Sequence, residues 1–260
     1  VSTSEPRIVF CGDRQIACDV LDAMQSDLGI EPIGLILSDS HGATHQHQIE
    51  ARCPTIPSTN AFRSSDLGAP ETLDGLRSLN PDLLVSVHFP HFINASVLAV
   101  PSRGAVNLHP SFLPFNRGWH TPTWSILDGT PAGATLHYMT EQLDGGPILA
   151  QRQVPTEVDD TADTLYQRIL AVEVAVFLEG LPRALAGEPG VVGGPEGTEH
   201  LQADLSRMSV GDLETQFGPQ IHDIVRVMRA LTTSQESEAS WIRHGDSRYA
   251  IRIAISQIPD

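Results

Sequence analysis

Short apolar runs alternate with polar stretches of helical length along the first two thirds of the chain. Ile8-Val9-Phe10 is the first run. A Cys11-Gly12-Asp13 turn follows, and then Ile16, Val20, Leu21 and Met24 recur at helical spacing over 14–24. The run 32–37 (PIGLIL) predicts a second buried strand, and residues 44–52 predict a helix within a polar stretch. Residues 70–79 predict another helix, opened by Pro70, with Leu73, Leu76 and Leu79 at a three-residue interval. Further strands are expected at 83–87, 104–109, 134–139 and 148–154, and a short helix over 122–127 stopped by Asp128-Gly129. The longest stripe, Leu165, Ile169, Val172, Val176 and Leu181, predicts one helix over 161–185. Apolar strands alternating with helices define an α/β fold, a mostly parallel sheet with helices on both faces.

The pattern breaks at 186–190 (AGEPG), and Gly194-Pro195 and Gly197 follow soon after. This reads as a linker or an extended crossing segment. The main domain is therefore bounded at 1–188, and 189–260 form a small C-terminal α+β extension. Helices are expected there near 210–217 and 221–231, with a strand over 249–255. Roughly seventy residues are few for an independent core, so the extension should pack on the main domain or on a second subunit, and a homodimer is the expected assembly.

Composition narrows the class of partner. An apolar share of 40% with 18% charged residues is an ordinary globular balance. No apolar run approaches the ~20 residues of a membrane span. Thirty-two acidic residues face 16 basic ones, all of them Arg, for a formal charge of −16. Without lysine this chain has no Schiff-base or P-loop lysine, and the acidic balance argues against nucleic acid as a partner. Cys11, Cys18 and Cys53 are too scattered for a disulfide framework or a metal cluster. His41, His45 and His47 lack companion ligands, so a solvated loop and no metal are expected. The first residues run almost directly into a strand without a signal-peptide layout, which makes the cytoplasm the expected compartment.

Candidate chemistry lies between Val106 and Gly146. Asn107 and His109 alternate onto one face of their strand, Leu108 points the other way, and Pro110 ends the strand beside them. Open α/β sheets place their ligands at that rim. Alone, the pair reads more simply as a turn-forming amide and an edge imidazole. Asp144, ahead of Gly145-Gly146, alone reads as a plain Asp-Gly turn. Together the three suit acyl transfer to an amine. An amide and an imidazole donate hydrogen bonds to the oxyanion of a tetrahedral intermediate, and a carboxylate orients the imidazole and accepts the amine proton. No Ser or Cys nucleophile stands in a recognisable motif, so direct transfer is expected over an acyl-enzyme. Trp119 and His120 are candidates to wall an acceptor pocket, whereas Trp124 fits the core. Arg14 and Arg117 fit a phosphate, although a structural role suits Arg117 at least as well. Arg226 and Arg229 share a helical face that fits either a diphosphate or salt bridges.

The run Asn107-x-His109-Pro110-Ser111-x-Leu113-Pro114-x-x-Arg117-Gly118, with Gly133-x-Thr135-x-His137 and Leu143-Asp144-Gly145-Gly146-x-Ile148-x-x-Gln151, resembles the folate-dependent formyltransferases. The likeness covers about residues 8–185; Phe112 stands where Leu is usual. It implies a Rossmann-like domain, 10-formyltetrahydrofolate as formyl donor, and Asn107, His109 and Asp144 as the catalytic trio. It also implies donor contacts from Phe89, Pro90, His91, Phe92 and Ile93 and from the backbone of Thr140 to Leu143, which includes Gln142. As acceptor it implies a small-molecule primary amine, best matched by the nucleotide-linked amino sugars of the sugar N-formyltransferases. Asp13 is poorly suited to the phosphate cradle of the glycinamide ribonucleotide enzymes. The basic C-terminal domain of the methionyl-tRNA enzymes has no counterpart in so acidic a chain. Formyltetrahydrofolate deformylases, which pass formyl to water, and a binding-only relative are the remaining alternatives.

Overall fold

The computed structural model describes residues 5–194, 196–207, 217–230 and 240–254. Six of its strands fall on the apolar runs, β1 (Ile8–Gly12), β2 (Pro32–Leu37), β4 (Leu83–Val87), β5 (Ala105–His109), β7 (Ala132–Tyr138) and β8 (Ile148–Val154), whereas the short β3 (Ala61–Arg63), β6 (Arg117–Gly118) and β9 (Glu199–His200) fall on none. Between them lie α1 (Arg14–Leu28), α2 (Gln46–Arg52), α3 (Pro70–Ser78), α4 (Ala95–Leu98), α5 (Thr121–Asp128) and α6 (Ala162–Leu185). Seven strands form one sheet in the order β3-β2-β1-β4-β5-β7-β8. It is parallel from β3 to β5, after which β7 pairs antiparallel with β5 and β8 antiparallel with β7. The mostly parallel α/β architecture is therefore the one the apolar pattern implies.

Alternation along each strand distributes its residues to two cores. Ile8, Phe10, Val85, Val106 and Leu108 enter the larger cluster with Ile16, Val20 and Leu21 of α1 and Ile169, Val176 and Phe177 of α6. Val9, Cys11, Ile36 and Leu84 enter the smaller one with Leu76 of α3 and Val97 of α4. Helix ends obey local chemistry. Gly29 closes α1 at φ 65°, and Thr161 caps α6 in a reciprocal box with Thr164. The helix expected over 14–24 runs on to Leu28 because Ala23, Met24 and the Gly29 cap extend it.

The contacts divide the chain into one unit of Val1–Thr156 with Thr161–His200 and another of Glu157–Asp160 with Leu201–Asp260. Residues 189–200, grouped by composition with the extension, lie in the first unit. Val191 exchanges backbone hydrogen bonds with Ile148 at the exposed edge of β8, and β9 pairs in parallel with β6. The Gly- and Pro-rich composition marked an extended segment but not the strand edges that receive it. In the second unit the helix Gln220–Ala230 and a hairpin of Ser240–His244 with Ser247–Ile251 are described. The helix expected near 210–217 falls largely outside the described residues, as do the strand residues beyond 254 and the side chains of Arg226 and Arg229. No helix among the described residues is long and apolar enough to cross a membrane.

Candidate active site

Three segments distant in sequence converge at the C-terminal end of β5. The antiparallel register of β5 and β7 sets Asn107 opposite His137 and His109 opposite Thr135. Four polar side chains thus lie on neighbouring strands at every second position, three of them almost wholly buried. The loop after β7 returns Asp144 over this rim. Asn107 Nδ2 donates to Asp144 Oδ1 at 3.3 Å and lies 3.5 Å from His137 Nε2. His109 Nε2 is 3.5 Å from Asp144 Oδ2, and His137 Nε2 is 3.5 Å from Asp144 Oδ1. The carboxylate also accepts the backbone N–H of Gly118 at 2.9 Å.

Backbone geometry makes this return possible. Asp144 itself sits at φ 43°, and a Cβ on Gly146 would collide with the carbonyl oxygen of Tyr138, so the Leu-Asp-Gly-Gly run is a close approach of the loop to its own strand. On the other side, Thr135 Oγ1 donates to Ser111 O at 2.7 Å and accepts from Leu113 N at 3.2 Å, which fixes the loop leaving β5. Asn116, buried further along that loop, donates to Ser125 and Thr130 hydroxyls at 2.8 Å and turns its carbonyl to His109 Nε2 at 3.3 Å.

Electrostatics divide the proton between the two charged partners. Burial pushes the His109 imidazole down from its ordinary 6.5, and this outweighs the opposing pull of Asp144. Burial alone would raise the Asp144 carboxyl. In the acid range where it titrates, protonated His109 and the hydrogen-bonding and charge of His137, with the Gly118 N–H, hold it far below the usual carboxylate range instead. Near neutral pH the site therefore holds an ionised carboxylate beside a neutral imidazole. His109 Nε2 faces two acceptors, Asn116 O and Asp144, and carries the ring proton.

The other sequence-derived candidates are placed less uniformly. Phe89 and His91 lie ring to ring at 5.1 Å, and His91 Nε2 bonds the Ser38 hydroxyl at 2.6 Å. Phe92 is 68% exposed, whereas the side chain of Ile93 is absorbed by the smaller core. Thr140 and Gln142 stand exposed in a turn closed by Thr140 Oγ1 and the Gln142 backbone, with Leu143 half-buried beside it. Arg14 starts α1 at φ 65° and bonds Tyr166. Arg117 pairs with Glu199 at 3.2 Å. Trp119 is half-buried, His120 is exposed at the start of α5, and Trp124 is core, 4% exposed.

Two features of the rim carry no role in the sequence pattern. His137 stands in the Gly133-x-Thr135-x-His137 run as the second polar position of an otherwise apolar strand, and that alternation was the available signal. His88 left no such mark. It sits at φ 50° just before Phe89, its Nε2 2.7 Å from Glu173 Oε1 of α6 and its Nδ1 3.2 Å from the Tyr166 hydroxyl. Glu173 is fully buried, so the imidazole supplies the partner that a carboxylate in such a place requires. A cleft of about 450 Å³ between β8 and residues 191–194 shares none of these groups.

The fold and this rim define a class. The chain belongs to the formyl transferase family, whose family model matches residues 7–181. It is 33% identical over 186 residues to the methionyl-tRNA formyltransferase of Halorhodospira halophila, covering 70% of this chain but 59% of that relative's length. Among solved structures it resembles a sugar N-formyltransferase from a Shewanella species at a TM-score of 0.67 and 20% identity, over 98% of this chain and 99% of that one. It also resembles the formyltransferase PseJ from Anoxybacillus kamchatkensis, solved in complex with UDP-4,6-dideoxy-4-formamido-L-AltNAc and tetrahydrofolate, at 0.53 and 23% identity over 78% and 89% of the two chains. At those identities the two structures speak for the fold.

Proposed function

We propose that this protein transfers a formyl group from 10-formyltetrahydrofolate to a primary amine of a small molecule, a nucleotide-linked amino sugar. The observation that carries the reading is the convergence of Asn107, His109 and Asp144 within 3.3–3.5 Å from two separate segments. In this reading the amine attacks the formyl carbon directly. The Asn107 amide, and the His109 Nε2–H on turning from the Asn116 carbonyl, donate to the oxygen as it gains charge. Asp144 takes the proton lost by the amine, directly or through water, and the proton returns to the departing folate nitrogen as the tetrahedral intermediate collapses. Family membership supports the folate donor, with residues 89–93 and 140–143 offered as its contacts. For the acceptor, Trp119 and His120 are offered as walls. Arg14 is offered for a phosphate, while the Glu199 pairing of Arg117 favours a structural role for that residue.

A methionyl-tRNA acceptor is the second reading, favoured by the identity to the Halorhodospira halophila relative. The formal charge of −16 weighs against it without excluding it, because nucleic acid binding depends on where basic groups cluster and not on the total. One screen separates the readings. The purified protein is given 10-formyltetrahydrofolate with UDP- and dTDP-linked amino sugars, glycinamide ribonucleotide, charged methionyl-tRNA or no amine, and products are scored by a formyl mass gain. Gain on the amino sugars is expected. Gain on methionyl-tRNA alone, or formate release without amine, would replace the proposal by the tRNA or the hydrolase reading.

A further inference from the structure

We infer that residues 198–200, beyond the stretch the family model matches, form a positioning strap for the reaction site, an inference that rests on the catalytic reading above. The strap lies along the loop 116–119. Thr198 Oγ1 accepts from Asn116 N at 2.7 Å and donates to Asn116 Oδ1 at 2.9 Å. Thr198 O accepts from Arg117 N, and His200 O from Trp119 N, each at 2.9 Å. Between the Arg117 and Trp119 N–H groups that the strap receives, the Gly118 N–H turns away from it and meets Asp144 Oδ2 at 2.9 Å. The neighbouring carbonyl, that of Asn116, meets His109 Nε2. The strap thus orients both backbone groups that touch the two ionisable members of the trio.

Its seat on the loop is tight and anchored. Gly118 has φ 95°, and a Cβ there would collide with the carbonyl oxygen of His200, so no side chain fits between strap and loop. The His200 ring stacks on Trp124 at 3.8 Å with 4° between planes, and its Nε2 lies 2.9 Å from Asp128 Oδ2. Glu199 holds Arg117 from the same strand. These contacts tie the strap to α5, so that displacing residues 198–200 moves the loop relative to β5.

The test uses Thr198→Val, which keeps the shape and removes both hydroxyl bonds, with Thr198→Ser as the restoring variant and His200→Ala as a second way to loosen the strap. With 10-formyltetrahydrofolate and a UDP-linked amino sugar, Thr198→Val should lower kcat about tenfold, the scale of one or two lost hydrogen bonds. KM should stay within about twofold, and Thr198→Ser should recover most of the loss. The 15N shifts of the His109 ring, read without substrate, should move in Thr198→Val and in His200→Ala. Should Thr198→Val fold poorly, His200→Ala carries the same readouts. Wild-type kcat and unmoved His109 shifts, beside an inactive Asp144→Asn, would overturn the strap alone; an active Asp144→Asn would remove the catalytic reading on which it rests.

Discussion

The two halves of the sheet bury different kinds of side chain. In the parallel half, β1, β2 and β4 bury apolar residues with few exceptions, and polar groups such as Asp13 and Ser38 are held back to the strand ends. In the antiparallel half, Asn107, His109, Thr135 and His137 interleave with Val106, Leu108, Ala134 and Leu136. Apolar burial needs no partner and tolerates any close packing, so it makes a frame. Buried polar groups cost free energy unless each finds a partner, so they require one register and one loop conformation. The first half supplies the frame; the second commits it to a particular chemistry.

Substitutions and a change of pH sharpen that contrast, ordered by size. Phe10→Ala empties a fully buried position of the frame and should cost about 3–5 kcal/mol of stability, measured by equilibrium urea unfolding, while kcat of the folded fraction is retained. Loss of kcat there would mean that the frame reaches into the chemistry. Asp144→Asn should do the reverse, lowering turnover at least roughly a hundredfold with a much smaller shift of the urea midpoint than Phe10→Ala. His109→Ala should lower turnover to a similar degree, and normal rates in both would refute the trio.

Acid should weaken the polar half first. His109 binds fewer protons in the fold than in the unfolded chain, so its contribution is complete above 6.5 and is lost as pH falls below that value. The depressed Asp144 carboxyl adds stability that is complete above 3.8 and is lost as pH falls toward its lower folded value. The urea midpoint should therefore decline from pH 7 to pH 5, and His109→Gln should flatten that decline. An identical slope in the variant would place the titration elsewhere. Smallest is Asn94→Ala, which removes the 3.0 Å bond from Val97 N at the start of α4 and should cost about 1 kcal/mol without altering the pH dependence.

Much of the frame was legible along the chain. β2 and β4 span the runs that the apolar pattern marks, because a strand buried on both faces reads as a near-continuous apolar stretch. The three residues of β3 and the two each of β6 and β9 are too short to show any period. The reversal of β7 and β8 was also hidden, since their apolar runs mark strands but not the neighbours they pair with. At the site, Asn107 and His109 were legible as a pair two residues apart, and Asp144 through the glycines behind it. The His88–Glu173 pair was not, because its partners stand 85 residues apart and Glu173 lies within a helix stripe that looks apolar.

By itself the sequence determined the class of fold, the frame strands, the long helix and the residue types that could meet at one rim, because these follow from local periodicity and spacing. Only the tertiary structure decided that β7 runs back along β5, that His137 lands opposite Asn107, and that residues 198–200 return to the loop beside Asp144. Those outcomes depend on which backbone edge and which buried polar group find each other across long stretches of chain, and no local pattern encodes that choice.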